Sequence, residues 1–450
     1  MSVHNWDNAR LEDLTIKVGS GSTPRGGEAN YKKVGVPLIR SMNVVFFGFK
    51  RDGLAHLDDD QAAALDNVTV RGGDVLLNIT GASIGRVTMA PMDLDGARVN
   101  QHVCIIRPSP AIDARYLRAF LSGPLMQQFI FGENYGVTRQ ALTKQQILDF
   151  KIPIAPLPEQ KRIADKLEAV LGRVDTCRAR LDRLPALLKR FRQSVLSAAT
   201  SGRLTEEWRM TNGVNDEWRT RALEDLTLKI TDGEHITPKR ASSGKYLLSA
   251  RNIQNGSIAL SNVDYVPTAE FERIRKRCDP SIGDVLLSCS GSVGRAALVD
   301  RDDYYVMVRS AAMIRPNREI LNPTFLMFGM QSPYLQEQIL EKSSATAQSN
   351  IFLGSIKGLK IPLPTLPEQQ EIVRRVEDLF AFADRIEARL ATAQKTVERL
   401  TPATLAKAFR GELVPQDPND EPASMLLERL RASATVTPSP KTRRKSVKFS

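Results

Sequence analysis

Cysteine and histidine are scarce in this 450-residue chain, four of each, and aromatic side chains make up only 6% of it. The cysteines, Cys104, Cys177, Cys278 and Cys289, show no CxxC spacing, and the histidines are scattered. That argues against both a zinc knuckle and a disulfide framework, so a reducing cytoplasm is the expected setting. No run of 18 apolar residues occurs, and the opening MSVHNWDNARLEDLTIK lacks the apolar stretch of an export signal, so neither membrane spanning nor secretion is expected. Catalytic signatures are missing as well. GASIGR has neither the spacing nor the lysine of a GxxxxGKS/T phosphate loop, and no FxGxG, Asn/Asp-Pro-Pro-Tyr/Phe, Ser-His-Asp or HExxH arrangement stands out. What is abundant is apolar material for packed cores, 42% of residues, and positive charge, 63 Lys plus Arg against 51 Asp plus Glu for a net +12. At this length two or three domains are expected.

The chain repeats itself. LEDLTIK from Leu11 is answered by LEDLTLK from Leu223, and GDVLL from Gly73 by GDVLL from Gly283. IIRP ending at Pro108 returns as MIRP ending at Pro316, and KIPIAPLPEQ from Lys151 as KIPLPTLPEQ from Lys360, a shift of 209 residues. A nearly constant offset over a whole block means two homologous domains, each followed by its own connecting segment; it is too long for a solenoid repeat.

Both connecting segments carry a helical ladder. Apolar or small residues fall at Ile163, Leu167, Val170, Val174, Cys177, Leu181, Leu184, Leu188, Phe191 and Val195, and again at Ile372, Val376, Leu379, Ala383, Ile386, Leu390, Ala393, Val397 and Leu400. Steps of four and three sustained this far are an a/d seam. Pro158-Glu159 and Pro367-Glu368 suit first helical turns, and Gly202 and Gly411 suit the ends. Ile163 to Val195 would span roughly 50 Å, with Pro185 and Pro402 expected to kink or interrupt the ladders. An exposed seam would remain wet, and the other copy is its simplest partner, in antiparallel orientation; packing of each helix on its own domain is the plainer alternative.

The repeated domains read as α+β, with short β-rich runs, polar turns and one helical stretch near each end, Ala114 to Phe131 and Pro323 to Leu340. The expected plan is therefore two homologous α+β domains joined by two long helices in an antiparallel coiled coil with pseudo-twofold symmetry. Its bounds are 1–155 for the first domain, 156–210 for the first connector, 211–364 for the second domain, 365–432 for the second connector and its sequel, and 433–450 for a disordered basic tail. Binding residues are expected in the loops. GSGSTP with Thr23 and Arg25, and DGEHITP with Thr237 and Lys239, combine hydroxyls, glycine and cations that suit phosphates and base edges. Arg40 with Asn43 and Arg251 with Asn252 end strands at matching places and are candidates for reading guanine and adenine, or else for a surface ion pair and a capped turn. Ser83, Arg86, Ser292 and Arg295 lie in glycine turns that fit close backbone approach or plain hairpins, and Arg139 and Gln348 complete the set.

The order of domain, PLPEQ helix, domain, LPEQ helix, with the endings FRQSVLSAATSGRLTEEWR and LAKAFRGELVPQDPNDEPASMLLERLRA, resembles the DNA-specificity subunit of type I restriction-modification systems over about residues 6 to 432. The resemblance implies two target-recognition domains, each reading one half of a bipartite, asymmetric site in double-stranded DNA. It further implies a non-catalytic chain that docks two modification (methyltransferase) subunits, with two restriction (translocase/nuclease) subunits left open. S-adenosylmethionine, ATP and Mg would serve those partners, and this chain would bind no cofactor or metal. The alternative is a coiled-coil scaffold whose repeated domains bind proteins. Charge does not single out the domains: residues 1–150 carry 16 basic against 15 acidic side chains and 211–360 carry 19 against 17, whereas 151–210 carry 13 against 7.

Overall fold

The computed structural model describes residues 6–23, 27–132, 141–214, 217–343 and 350–436. The chain divides into two units, residues 1–180 with 393–450, and residues 181–392. Each unit combines one sheet-bearing domain with a portion of both connectors.

The two domains are built strand for strand alike. In the first, an antiparallel sheet runs in the order Thr15–Ser20, Val103–Pro108, Val75–Asn78, Val87–Met89; in the second the order is Thr227–Asp232, Ala311–Pro316, Val285–Ser288, Ala296–Leu298. A smaller sheet adds Ala55–Leu57, Val36–Ile39 and Arg98–Val99, matched by Asp264–Val266, Lys245–Leu248 and Tyr305–Met307, the last pairing parallel in both. Asp7–Arg10 pairs with Lys151–Ile154, and Arg219–Ala222 with Lys360–Leu363, so the entering and leaving segments of each domain lie side by side. The GDVLL motifs become central strands whose four residues are all buried, which explains why they read as continuous apolar runs rather than alternating ones.

The helical stretches near the domain ends are each two helices. Ala114–Ser122 is followed by Pro124–Gly132, and Pro323–Gln331 by Pro333–Lys342. Gly123 and Ser332 are extended at the breaks, because a following proline disfavours helical backbone in the residue before it and suits the first turn of a new helix.

The first connector comprises Leu157–Leu181 and Leu184–Thr200, interrupted just ahead of Pro185 as expected. The second is a single helix, Leu366–Ala408, that continues through Pro402, so that proline does not interrupt it. Gly202 and Gly411 follow the helix ends in the left-handed region, at φ +79° and +73°, the conformation in which glycine costs least. Of the ladder, Ile163, Leu167, Val174, Leu188, Ile372, Val376, Ala383 and Leu390 are buried, Val170, Leu181, Leu379, Ile386 and Val397 half-buried, and Cys177 and Leu400 exposed.

The connectors pack antiparallel within each unit. In residues 181–392, Arg192 reaches Asp384 at 2.5 Å and Glu387 at 2.9 Å, while Arg375 Nη1 donates to the Leu204 carbonyl at 2.9 Å, so the partners run in opposite directions. In the other unit Leu167 and Leu171 share a core with Leu405 and Ala408. Those cores also contain sheet and helix residues of the domain, such as Val75 and Leu117, or Val285 and Leu326. Helix pairing and helix-on-domain packing are therefore one continuous core in each unit. No helix among the described residues is long and apolar enough to cross a membrane.

Candidate nucleic-acid interface

A shared internal frame holds the loops of both domains. Asp74 of the first GDVLL motif is buried and accepts from Arg107 of IIRP at 2.8 Å to each carboxylate oxygen. Asp284 and Arg315 repeat the bidentate pair at 3.0 and 2.8 Å. The Asp74 and Asp284 carboxylates also accept from the Arg71 and Ser281 backbone amides three residues back, tying down the turns ahead of the strands. The PLPEQ glutamines are buried pins. Gln160 accepts from the Asp113 amide and donates to the Ala111 and Ala155 carbonyls, and Gln369 does the same with Asn322, Ile320 and Pro364. Each therefore locks a connector start to the cap of a domain helix.

On this frame each domain opens a cavity at the same place, of about 630 Å³ in the first and about 380 Å³ in the second. The walls come from the end of the outer strand (Ser20, Asp232), the turn after GDVLL (Thr80, Ser290), the turn before the IRP strand (Gln101, Arg309) and a segment returning to the sheet (Leu142, Ile351). Equivalent backbone bonds close the frame: Ile79 N to His102 O at 3.0 Å and Leu142 N to Ile79 O at 2.9 Å, against Cys289 N to Ser310 O at 2.8 Å and Ile351 N to Cys289 O at 3.0 Å. Gly21 and Gly233 let the outer loop close, since a side chain there would overlap the Val99 or Met307 carbonyl oxygen.

The side chains in and around the two cavities differ. In the first, Thr23 donates to Gln101 Oε1, Gln101 Nε2 lies 2.9 Å from His102 Nε2, and His102 Nδ1 meets the Thr80 hydroxyl, a polar ladder without a carboxylate or an arginine. In the second, the loop is braced by charge. Asp232 accepts from Arg277 at 2.6 Å and pairs with His235 at 2.7 Å, and Glu234 accepts from the His235 and Ile236 amides and from Arg273. Burial works against the Asp232 carboxylate, but the Arg277 and His235 bonds outweigh it and hold its pKa below the usual carboxylate range; the Ile236 amide and Arg273 do the same for Glu234. Burial pushes the Cys104 and Cys289 thiols, which line the cavities, up to about 12, away from the thiolate form.

Two expected base readers are structural instead. Asn43 and Asn252 are buried: each accepts from the amide three residues back (Arg40, Ser249) and donates to carbonyls across its turn (Lys50, Ala259). They cap turns, so their edges are not available to DNA. The same register shows that Arg40 corresponds to Ser249, so Arg40 and Arg251 do not occupy matching places. Arg40 donates to the Gly53 carbonyl and lies over the Tyr31 ring; Arg251 shares Asp264 with Arg240. Arg295 donates to Gln254, and Ser83 accepts from Asn78. Arg86, Thr237, Lys239 and Ser292 are exposed, and Thr23 is half-buried on the rim of the first cavity. Arg25, Arg139 and Gln348 lie outside the described residues. Gln101 and Arg309 carry no motif of their own; their signal was the difference between NQHV and VRSA just ahead of matching IRP segments.

The model of the type I restriction modification DNA specificity domain matches residues 4–186 and again 215–394. The chain is 31% identical to the type I restriction enzyme EcoBI specificity subunit of Escherichia coli, over 99% of this chain and 96% of that one. It is likewise 31% identical to the EcoKI specificity subunit of E. coli strain K12, over 98% of each. The fold matches the HsdS subunit from Thermoanaerobacter tengcongensis with a TM-score of 0.59 at 19% identity, over 91% of this chain and 97% of that one. With two matched domains and full-length relatives, this chain belongs to the family of type I restriction-modification DNA specificity subunits.

Proposed function

We propose that the chain reads a bipartite, asymmetric site in double-stranded DNA, one half-site per domain, as the non-catalytic specificity component of a complex. The observation that carries this reading is one loop frame built twice, with different side chains at equivalent cavities: two readers of one design and two codes. Arg86, Thr237, Lys239 and Ser292, all exposed, suit phosphate contacts, and Thr23, Arg40, Arg251 and Arg295 join them as candidates. Arg25, Arg139 and Gln348 extend the set on sequence alone. The connector ladders fix the separation of the half-sites and offer the surface on which two modification subunits dock, with two restriction subunits in systems that cleave. S-adenosylmethionine, ATP and Mg belong to those partners, and the complex works in the cytoplasm.

Methylome sequencing of cells expressing the chain with its modification subunits tests the reading. Two short blocks around a spacer are expected; one continuous block would overturn it. Lengthening the Ile163 to Val195 ladder should change the spacer and leave both half-sites intact. A scaffold that binds only proteins would protect no bases and show little salt dependence, whereas a DNA reader loses affinity steeply with salt.

A further inference from the structure

The two cavities share walls and backbone bonds, in domains that repeat one Asp–Arg pair, yet differ at the turn that leads into the central strand. In the first domain that turn presents Gln101; in the second, Arg309. A reader of an asymmetric site needs its code where the frame is constant and the side chains are not. We propose that these two residues are specificity-determining, Gln101 reading an adenine in one half-site and Arg309 a guanine in the other. The inference rests on the DNA-reading function proposed above.

The chemistry is asymmetric in the required way. A glutamine amide offers one donor and one acceptor, matching adenine N6 and N7, whereas an arginine fork offers two donors, matching guanine O6 and N7. Both side chains are exposed and stand on rigid backbone. The strands that follow are hydrogen-bonded on both sides, and the Arg309 amide is itself held by the Glu234 carbonyl at 3.0 Å. Fixed backbone of this kind gives a reading side chain its geometry. The Arg309 guanidinium has no hydrogen-bond or ion-pair partner among the described residues, while neighbouring arginines are already engaged: Arg251 and Arg240 by Asp264, Arg277 by Asp232, Arg273 by Glu234 and Glu270. Gln101 is poised rather than free, its amide held by Thr23 and His102. Those two partners can be exchanged for a base edge without a change of backbone.

The experiment is methylome sequencing of the full complex carrying Arg309→Ala, Arg309→Lys or Gln101→Ala. Each Arg309 variant should make one guanine position degenerate, with roughly five- to hundred-fold loss of discrimination, and leave the other half-site untouched. Arg309→Lys keeps the charge and loses the fork, so it should relax the same position while preserving overall affinity. Gln101→Ala should relax one adenine in the opposite half-site. An unchanged motif, a change in both half-sites, or equal weakening at every position would overturn the assignment, the last by making Arg309 a phosphate contact. A wild-type complex with no bipartite motif would instead overturn the broader function.

Discussion

The two domains are the same scaffold carrying different chemistry, and the place where they part company separates structure from recognition. The Asp74–Arg107 and Asp284–Arg315 pairs, the Gln160 and Gln369 pins and the capped turns of Asn43 and Asn252 coincide. The cavity linings, the hairpin tips and the surroundings of the first-turn glutamates do not. One hairpin turns through Asn255-Gly256, with Gly256 at φ +82°; its counterpart turns through Phe46-Phe47, with Phe47 forced to φ +56° beneath Arg118. Glu368 is buried and fully used, accepting from Thr205, Arg209 and Trp218. Its counterpart Glu159 is equally buried but leaves Oε1 without a hydrogen-bond partner, as does buried Gln416 Nε2 in the same unit. Burial raises the Glu159 pKa, opposed by Trp6 and Arg162.

The comparison can be broken most forcefully at the shared frame. Asp74→Asn should cost about 3–5 kcal/mol, since it leaves Arg107 without its buried carboxylate; Asp284→Asn should cost less, because Arg315 keeps Asp279 at 3.3 Å. Urea denaturation of both variants checks this, and one silent member would show that the frame is not common. Next come the glutamates. Glu368→Gln should lower stability by about 2 kcal/mol, because charged hydrogen bonds to three donors are weakened. Glu159→Gln should remain within about 0.5 kcal/mol of the parent, because it removes a charge that burial disfavours and loses only the opposing pull of Trp6 and Arg162; similar losses for both would erase the distinction. Gly256→Ala should cost about 1 kcal/mol by placing a side chain in the left-handed region, read as a lower thermal midpoint.

The smallest effect concerns pH. Asp232 and Glu234 have folded-state pKa values below their ordinary ones, so their contribution is complete above about pH 4–5 and is lost as pH falls through the lowered values. Hydrogen exchange corrected for intrinsic rates should show the 232–238 loop loosening on acidification. The first domain's loop, held by the uncharged Thr23–Gln101 bond, should be unaffected over that range.

Much of the architecture was legible because it leaves local marks. A duplication prints itself as repeated words, a helix as steps of three and four, and a helix end as glycine at φ +79° or +73°. The split of each terminal helical stretch was legible too, in Gly123-Pro124 and Ser332-Pro333, although apolar periodicity alone reads through it. The roles of Asn43 and Asn252 were not, because a strand-ending asparagine looks alike whether it faces DNA or its own turn; only burial and the partners Lys50 and Ala259 decide.

The sequence by itself determined the two-domain plan, the connectors and the absence of known catalytic signatures, since these follow from order and spacing along the chain. Tertiary structure alone decided which polar residues are internal. Asp74 meets Arg107 and Glu368 meets Arg209 across separations of 33 and 159 residues, and no local pattern encodes a contact that depends on how strands and helices are brought together. By placing Asn43 and Asn252 inside and Gln101 and Arg309 on equivalent rims, the fold moved the candidate code from the residues with the most suggestive motifs to those where two identical frames differ.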